Sequence, residues 1–598
     1  MISLMVGCGP ALLAAESPWT EVKSPHFRVL TDGSAGAGRR VAREFEQMRA
    51  VFSAGFPNMR LETGAPLLIF AVVDEASMKA LIPKLWKRGG PNAAGYFQDG
   101  WEKKYAVVRL DQDIPGQYQV VYHEYVHTLL HANFAWLPTW LDEGLAEYYG
   151  NTYFEQSKVY IGAPSKRVYS MRGSASFPIE DLITESSWIK YRTNDRLIDL
   201  LYSEAWALVH FFVFGPGMER GAKLSRFYEL LEKGEPQHKA IEEVFGPVAK
   251  LDEEFSRYTN HFEFSSYEMP NPESIKEKEF PSHRMPVAEM ETELATYQLW
   301  SRDPEDARSS IERALHGDPG SNSPREAIGF LEFGQGKDSE AELEFDKAFD
   351  ADHQRYLSLF YGTMLAGRPG PEARAQQVKF RAAMYDVLKI NPQFAPAVVE
   401  LAIACLREGD LANALVRARR AEQLEPTRAG YHLLTARILL DLGRPEEAAK
   451  KAAFVAENWR KSDHNEALEL WNRIPAEKRG SSDSFAEEIP NGVQTVQGIL
   501  KSVTCAEKGR GTSLIIESNG GTLTFRGTGE PSVGYSDTLW YGRDHFDVCH
   551  HGEGLRAIVR YKAGADTTFA GEWVELELRD DLQGLSVFKI QSISERKN

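Results

Sequence analysis

A repeat of 34 residues limits what this chain can fold into more than any other feature of its sequence. Arg302, Gly336 and Gly370 stand 34 residues apart, and after a five-residue insertion Gly409 and Gly443 are again 34 apart. An alanine follows five residues after each of them: Ala307, Ala341, Ala375, Ala414 and Ala448. Small residues at a fixed place in a repeat let paired helices approach closely. The sequence therefore predicts stacked helical hairpins over residues 291–475.

The repeats end in dipeptides that contain proline: Asp318-Pro319, Asn391-Pro392 and Glu425-Pro426. The 34-residue period, with its recurring glycine, alanine and proline positions, resembles tetratricopeptide repeats. Unrelated helical hairpins are the alternative. The resemblance implies an all-α solenoid with a groove for a protein or peptide partner.

The region before the repeats, residues 19–264, has a mixed pattern. Strand-like runs occur at residues 26–31, 66–73 and 105–110, and residues 117–132 have helical character. This order predicts an α+β domain in which a sheet precedes a helical half.

The region after the repeats, residues 490–598, alternates short strand-like runs with turn signals such as Asn519-Gly520-Gly521. It predicts a small all-β barrel or sandwich, similar in size to an OB-fold. Three domains also suit the length of 598 residues, which exceeds what one hydrophobic core organises.

Charge and hydropathy exclude two classes of function. A formal net charge of -17 gives none of the basic surface on which nucleic-acid affinity depends. No run of eighteen apolar residues offers a transmembrane span in the mature chain. Residues 1–15, which end in Ala14-Ala15, have the character of a secretory leader, and Cys8 loosely resembles a lipoprotein attachment site. We therefore expect a periplasmic or secreted protein, with a lipoprotein anchor or a frayed apolar N-terminus as alternatives.

Four cysteines are too few for a disulfide scaffold and show no spacing typical of a structural zinc site. Cys405 lies in a repeat. Cys505 and Cys549 lie in the same C-terminal region and can pair in an oxidising compartment, with two buried thiols as the equal alternative.

The segment His123-Glu124-Tyr125-Val126-His127 is an HExxH motif with helical surroundings. Residues four apart share one face of a helix, about 6 Å apart along the axis, so both imidazoles can bind one ion. Glu124 follows the first histidine and can reach a water molecule on the metal rather than the metal itself. These positions predict a zinc site with Glu124 as general base.

A second helical segment, residues 140–149, follows after a short connection. It can place Glu143 beside the two histidines and Glu147, one turn later, behind one of them. A catalytic zinc needs three protein ligands, and a ligating histidine usually donates its other N–H to a carboxylate. The alternative is an amphipathic helix with solvated acids and a chance HExxH motif.

His131 competes with Glu143 as third ligand, because it continues the helical series of His123 and His127. The metzincin pattern fails, since Leu130 and Asn133 occupy the positions of its glycine and third histidine. Binding from a further turn of the same helix would also require the helix to bend around the ion. We expect His131 to be a polar residue near the cleft.

The sequence HEYVH followed by LPTWLDEGLAEYY resembles the gluzincin metallopeptidases, and more closely the peptidase-MA-like families of bacterial proteins with tetratricopeptide repeats. The resemblance covers residues 19–264 and implies a zincin-like fold with one Zn²⁺ per chain. It implies His123, His127 and Glu143 as ligands and Glu147 as a carboxylate behind them.

In gluzincins a tyrosine or histidine beyond the metal helices hydrogen-bonds the oxyanion of the tetrahedral intermediate. Tyr202 and His210, both in the apolar helical segment 201–212, are the candidates here, with Tyr202 ahead of His210. Core packing is the alternative for both.

The expected architecture is thus an α+β zincin-like metallopeptidase domain, an all-α tetratricopeptide-repeat solenoid and a small all-β domain. The expected function is zinc-dependent hydrolysis of peptide bonds, with a protein or peptide bound by the repeats. An inactive scaffold that acts through its repeats is the alternative. A weaker hypothesis is metal storage or sensing by a C-terminal cluster: His545, Cys549, His550 and His551.

Overall fold

The structure is a computed structural model. It describes residues 16–82, 95–98, 100, 103–111, 118–155, 157–170, 176–191, 194–260, 263–271, 275–301, 303–367, 373–459, 461–479, 492–505, 511–527, 533–535, 548–564 and 568–579. The predicted leader at residues 1–15, together with Arg302, Gly370 and His545, lies outside the described residues.

The described strands are β1 (Glu16–Lys23), β2 (Arg28–Thr31), β3 (Leu67–Val72), β4 (Gly95–Gln98), β5 (Lys104–Arg109), β6 (Tyr153–Phe154), β7 (Lys158–Ile161), β8 (Tyr267–Pro270), β9 (Ser282–Pro286), β10 (Val493–Cys505), β11 (Thr512–Ser518), β12 (Gly521–Gly527), β13 (Val533–Tyr535), β14 (Arg556–Lys562) and β15 (Gly571–Arg579).

The described helices are α1 (Ala35–Gly55), α2 (Glu75–Leu81), α3 (Gln119–Asn133), α4 (Thr139–Gly150), α5 (Lys166–Ser170), α6 (Ile179–Ile183), α7 (Glu185–Tyr191), α8 (Asp195–Phe214), α9 (Ala222–Glu232), α10 (Gln237–Phe245), α11 (Val248–Asn260), α12 (Val287–Trp300), α13 (Pro304–Gly317), α14 (Arg325–Gly334), α15 (Asp338–Ala351), α16 (Tyr356–Leu365), α17 (Arg374–Ile390), α18 (Ala395–Arg407), α19 (Leu411–Leu424), α20 (Ala429–Asp441), α21 (Pro445–Asn458), α22 (Lys461–Arg473), α23 (Ala476–Arg479) and α24 (Val548–His551). Short 3₁₀ helices occur at Glu219–Gly221 and Glu277–Glu279.

The chain forms two compact units. The first comprises Met1–Glu46, Ala65–Gln112 and Ile275–Ala366, and the second comprises Gln47–Gly64, Asp113–Ser274 and Gly367–Asn598. The first unit holds the N-terminal sheet with the early repeats. The second holds the HExxH helix with the later repeats and the C-terminal strands.

The first unit contains a six-stranded mixed sheet in the order β4-β5-β3-β2-β1-β9. Strand β3 runs parallel to both β2 and β5, and all six of its residues are buried. A continuous apolar run of this kind is typical of a central strand covered on both faces. On one face Phe70 and Tyr105 pack against Tyr297 of α12.

Within each unit the repeats are built from consecutive helices that pack against one another, as the 34-residue period predicts. Gly336, Gly409 and Gly443 each lie two residues after a helix and have positive φ angles of 72°, 76° and 71°. A helix commonly ends with a residue in this left-handed conformation, which glycine adopts without a steric cost. The equivalent glycine after α16 is Gly367, with φ of 95°, rather than the predicted Gly370.

The predicted packing role of Ala375 is wrong. Ala307, Ala341, Ala414 and Ala448 are fully buried, whereas Ala375 is exposed at the start of α17. Helix α17 has 17 residues where α19 has 14, so the insertion extends its amino end by about one turn. Phe380, which precedes Ala414 by one period, takes the buried position.

The C-terminal strands form a barrel, one of the two predicted alternatives. β10, β11 and β12 form an antiparallel meander, β10 also pairs with β14, and β14 pairs with β15. Parallel pairing of β12 with β15 closes the circuit, with Phe525 opposite Gly571. This connectivity is that of a five-stranded Greek-key barrel of the OB type. A disulfide joins Cys505, at the end of β10, to Cys549 in α24.

Helix α8 is the centre of the helical half of the second unit. Among the described residues, Arg196–Phe214 is the one helical stretch long and apolar enough to cross a membrane. However, 61% of its most apolar 18-residue segment is buried inside the protein. Trp206, Leu208 and Phe212 are each at most 1% exposed. The helix therefore supplies the core against which α4 packs, and α3 packs in turn on α4.

Candidate metal centre

Helices α3 and α4 bring the predicted ligands together. The apolar face of α3 is buried through Val121, Tyr125 and Val126, which leaves His123 and His127 partly exposed on the opposite side. Gly150, at the end of α4, lies so near α3 that a Cβ atom there would be 3.1 Å from the His123 backbone. This close approach is possible because residue 150 has no side chain.

The three predicted ligand atoms form a nearly equilateral triangle. Nε2 of His123 and Nε2 of His127 are 3.1 Å apart, and Oε2 of Glu143 lies 3.3 Å and 3.2 Å from them respectively. Zinc bonds of about 2.0 to 2.1 Å in a tetrahedron separate neighbouring ligands by about 3.3 Å. The residues therefore fit one face of a tetrahedral zinc site, with the fourth corner left for water or substrate.

A carboxylate stands behind each imidazole. Nδ1 of His127 is 3.0 Å from Oδ1 of Asp142, a hydrogen bond that fixes the ring with Nε2 towards the site. Nδ1 of His123 is 3.6 Å from Oε1 of Glu147, an ion-pair distance longer than a hydrogen bond. Glu147 thus lies next to His123, on the Nδ1 side of its ring.

His131 does not join the triangle. Its Nε2 atom is 2.8 Å from Oδ2 of Asp142, and its side chain is 48% exposed. His127, His131 and Asp142 form a second group of ligand-type atoms, in which Asp142 holds both histidines. The expectation of a polar residue beside the cleft agrees with this position.

The titration of the site follows from these contacts. Burial alone would lower the pKa of His127, but hydrogen bonds to Asp142 and Glu143 outweigh it and raise that pKa well above its ordinary value. Burial alone would raise the pKa of Glu143, yet its contacts with both histidines lower it to about 2. Asp142 is likewise held ionised, because His127 and His131 lower its pKa despite its burial. Both carboxylates are therefore charged at neutral pH, as cation binding requires.

The two predicted catalytic groups lie on neighbouring helices. Glu124 is partly exposed on α3, directly after His123. Tyr202 of α8 donates from its hydroxyl to Oε1 of Glu143 over 3.5 Å, and its ring centre is 6.1 Å from that of His123. Tyr202 is therefore at the edge of the ligand triangle.

The candidacy of His210 as an oxyanion donor is wrong. It is fully buried, with Nδ1 2.6 Å from the Tyr258 hydroxyl and Nε2 2.6 Å from the Ser265 carbonyl. Burial lowers its pKa to about 4. His210 is a core residue with both ring nitrogens in contact with protein oxygens.

Sequence reasoning overlooked two residues at the site. Asp142 immediately precedes Glu143, and an acidic pair at that place in α4 was a usable signal, since residues 142 and 143 can face different histidines. Arg167 of α5 contacts Glu147 at 2.7 Å, but it lies twenty residues after Glu147 and forty after His127, and no sequence pattern marks it.

The predicted C-terminal metal cluster lacks its thiolate. Cys549 is bonded to Cys505, so its sulfur cannot act as a metal ligand. His551 is buried and His550 is exposed, and His545 lies outside the described residues. Among the described residues, potential metal groups occur at α3 and α4 only.

No protein-family model and no curated protein matches the chain. Several solved structures are similar to part of it. A thermophilic tetratricopeptide repeat protein from Thermus thermophilus is 16% identical with a TM-score of 0.24, covering 31% of this chain and 96% of that chain. PilF of Pseudomonas aeruginosa is 14% identical with a TM-score of 0.26, covering 31% and 90%. PilW, a type IV pilus biogenesis factor, is 19% identical with a TM-score of 0.25, covering 41% and 96%. The description of the repeat region therefore depends on the helix pairs and glycines of this chain.

Proposed function

We propose that this protein is a zinc-dependent hydrolase of peptide bonds. The observation that carries the proposal is the triangle of His123, His127 and Glu143, whose edges of 3.1 to 3.3 Å suit one tetrahedral zinc ion. Two neutral imidazoles and one carboxylate are the ligand set of thermolysin-like catalytic sites, which keep one position open.

A zinc ion held there supplies Lewis acidity, which activates water and polarises a carbonyl group. Glu124 accepts the proton of the attacking water and delivers it to the leaving amine. Tyr202, whose hydroxyl lies 3.5 Å from Glu143, would donate a hydrogen bond to the oxyanion of the substrate. Asp142 holds His127 in the tautomer that turns Nε2 towards the ion.

The test is hydrolysis of fluorescein-labelled casein by the full-length protein, with and without phenanthroline. We expect activity that the chelator abolishes and added zinc restores. Glu124→Gln should keep the zinc and lose at least about a hundredfold in rate, because an amide cannot carry the proton. His131→Ala is the matched control and should stay active. Chelator-resistant hydrolysis, or full activity in Glu124→Gln, would contradict the proposal.

A second function, the binding of a peptide or protein by the repeats, is favoured by a cavity of about 420 Å³ in the first unit. Charged side chains of both signs line it, among them Arg28, Glu293, Glu326 and Arg355. Glu293 bonds both Arg28 and Lys103. A lining of charged side chains suits a polar peptide better than an apolar ligand.

Peptides selected from a random display library on the wild-type protein test this binding. They should bind Arg355→Glu at least about tenfold more weakly, a loss of about 1.4 kcal/mol. Arg308→Glu, on the exposed face of α13, is the control and should bind normally. Equal binding to all three proteins would place the peptide elsewhere. An inactive scaffold, the alternative function, would show this binding without any chelator-sensitive hydrolysis.

We also propose an extracytoplasmic location, because a disulfide such as Cys505–Cys549 persists in oxidising compartments. Unreduced, denatured protein should react with a maleimide at Cys405 and not at Cys505 or Cys549. Labelling of Cys505 in freshly exported protein would contradict the proposal.

A further inference from the structure

Arg167 connects two parts of the metal centre. Its Nη1 atom donates to Oε1 of Glu147 over 2.7 Å, and its Nε atom is 3.2 Å from Oδ1 of Asp199. The guanidinium carbon lies 5.4 Å from the centre of the Tyr202 ring, a cation–π distance. One arginine therefore touches the carboxylate behind His123 and the ring that carries the hydroxyl near the third ligand.

We infer that Arg167 is a positioning residue of the zinc site, which holds Glu147 behind His123 and Tyr202 beside Glu143. The inference rests on the proposed function, since it assigns Arg167 a role in the same site. It adds a residue from α5, an element outside the HExxH motif and the α4 ligand helix.

The distances explain why Glu147 needs this help. Its separation of 3.6 Å from His123 is too long for a direct hydrogen bond, so that contact alone does not fix the carboxylate. The 2.7 Å bond from Nη1 of Arg167 does so, because it is a charge-assisted hydrogen bond, and the contact of Nε with Asp199 holds the guanidinium itself. The Glu147 side chain is 11% exposed against 40% for Arg167, so the arginine closes the solvent side of the acid.

Two effects of removing Arg167 oppose each other. Loss of a carboxylate that orients a metal ligand costs about ten- to a hundredfold in metal affinity, and Arg167 acts one contact further out, so about tenfold is expected. Removing a positive charge near a dication favours binding, but at a partly exposed and paired position this gain is about twofold. The loss of Glu147 positioning should outweigh the gain from the removed charge, so Arg167→Met should weaken zinc binding by about fivefold in total.

The experiment measures the zinc dissociation constant by competition with a chromophoric chelator, and the visible spectrum of the cobalt-substituted protein. Arg167→Met should bind zinc about fivefold more weakly and shift the cobalt bands. Arg167→Lys keeps the positive charge but not the guanidinium group, so its zinc affinity should lie between those of Arg167→Met and the wild type. Arg226→Met removes an arginine similarly exposed and paired, with Glu219 at 3.0 Å, and should match the wild type.

A double-mutant cycle separates positioning from a general structural role. If Arg167 acts through Glu147, then Arg167→Met should weaken zinc binding clearly less in a Glu147→Ala background than in the wild type, and the remaining loss reports its contact with Tyr202. Wild-type zinc affinity and cobalt spectrum in a folded Arg167→Met protein would overturn the inference. An equal loss in both backgrounds would overturn it as well. Neither result would contradict the proposed function. A wild-type protein that binds no zinc would contradict both the proposed function and the role of Arg167.

Discussion

Gly144 should be the least replaceable glycine of the metal centre. It follows Glu143, the proposed third ligand, and lies where α4 packs against α8. A Cβ atom at this position would lie 2.6 Å from the carbonyl oxygen of Ala205 and 2.7 Å from a methyl group of Val209. The nearer atom belongs to helical backbone, so it cannot turn aside as a flexible side chain would. In Gly144→Ala the two helices must separate.

The magnitude follows from two opposed effects. Alanine in a helix interior is favoured over glycine by about 1 kcal/mol. Overpacking a core contact costs about 1 to 3 kcal/mol, and a clash with backbone belongs at the upper end. The net loss in free energy of unfolding should be about 2 kcal/mol. To lengthen the contact with the Ala205 oxygen to an ordinary 3.4 Å, α4 must move away from α8, and Glu143 moves with it. Zinc–ligand bonds tolerate shifts of only about 0.2 Å, so zinc binding should weaken as well.

Urea unfolding and zinc competition measure the two consequences. Gly144→Ala should unfold at lower urea and bind zinc at least about tenfold more weakly. Gly55→Ala is the matched control, since a Cβ atom there meets nothing within 4 Å, and it should keep the wild-type stability and affinity. If Gly144→Ala is as stable as the wild type and binds zinc equally well, the close helix contact does not position the ligand.

Three further predictions concern the same unit. Glu143→Ala should lower zinc affinity by at least about a hundredfold in chelator competition, whereas His131→Ala should change it less than about tenfold, and the reverse order would make His131 the ligand. Burial raises the pKa of Glu204 from 4.5 to about 8, so the folded protein keeps a proton that the unfolded chain releases between these values. Urea titrations should therefore show stability falling by about 1.4 kcal/mol per pH unit across that window, and a slope unchanged in Glu204→Gln would refute this. Arg60 donates to the last carbonyls of α3 and α19 over 2.5 and 2.6 Å, so Arg60→Met should cost about 1 to 3 kcal/mol in thermal unfolding, and a wild-type melting temperature would contradict it.

Local patterns predicted the elements of the site well, because each depends on neighbours in sequence. The helix expected over residues 117–132 is α3, and the ligand spacing of His123 and His127 follows from one helical turn. Glu143 could be placed because a second helix after a short connection has few ways to approach the first. The predicted strands match β2, β3 and β5 within about two residues.

Longer-range features could not be read from the sequence. The partnership of Arg167 with Glu147 depends on how α5 packs against α4, which no periodicity encodes. The division into two units depends on which helices the sheet covers. Even the repeat misled at Ala375, because α17 begins seven residues after Gly367 whereas α19 begins two residues after Gly409, and α17 is also three residues longer.

The sequence also could not decide whether His210 belongs to the core or to the site. An apolar helix with a histidine and a tyrosine eight residues apart suits both a core and a catalytic site. Only the neighbours decide: His210 contacts the Tyr258 hydroxyl, while Tyr202 contacts a metal-site carboxylate. Residues from outside the helix, remote in sequence, separate the two roles.

Zinc content of the purified full-length protein is the most direct test of the central claim. After dialysis against a zinc buffer, the wild type should retain about one zinc ion per chain by mass spectrometry of the metal. His123→Ala and His127→Ala should each retain essentially none, because two remaining ligands cannot hold the ion through dialysis. Zinc absent from the wild type, or present equally in both variants, would contradict the assignment of His123, His127 and Glu143 as a zinc site.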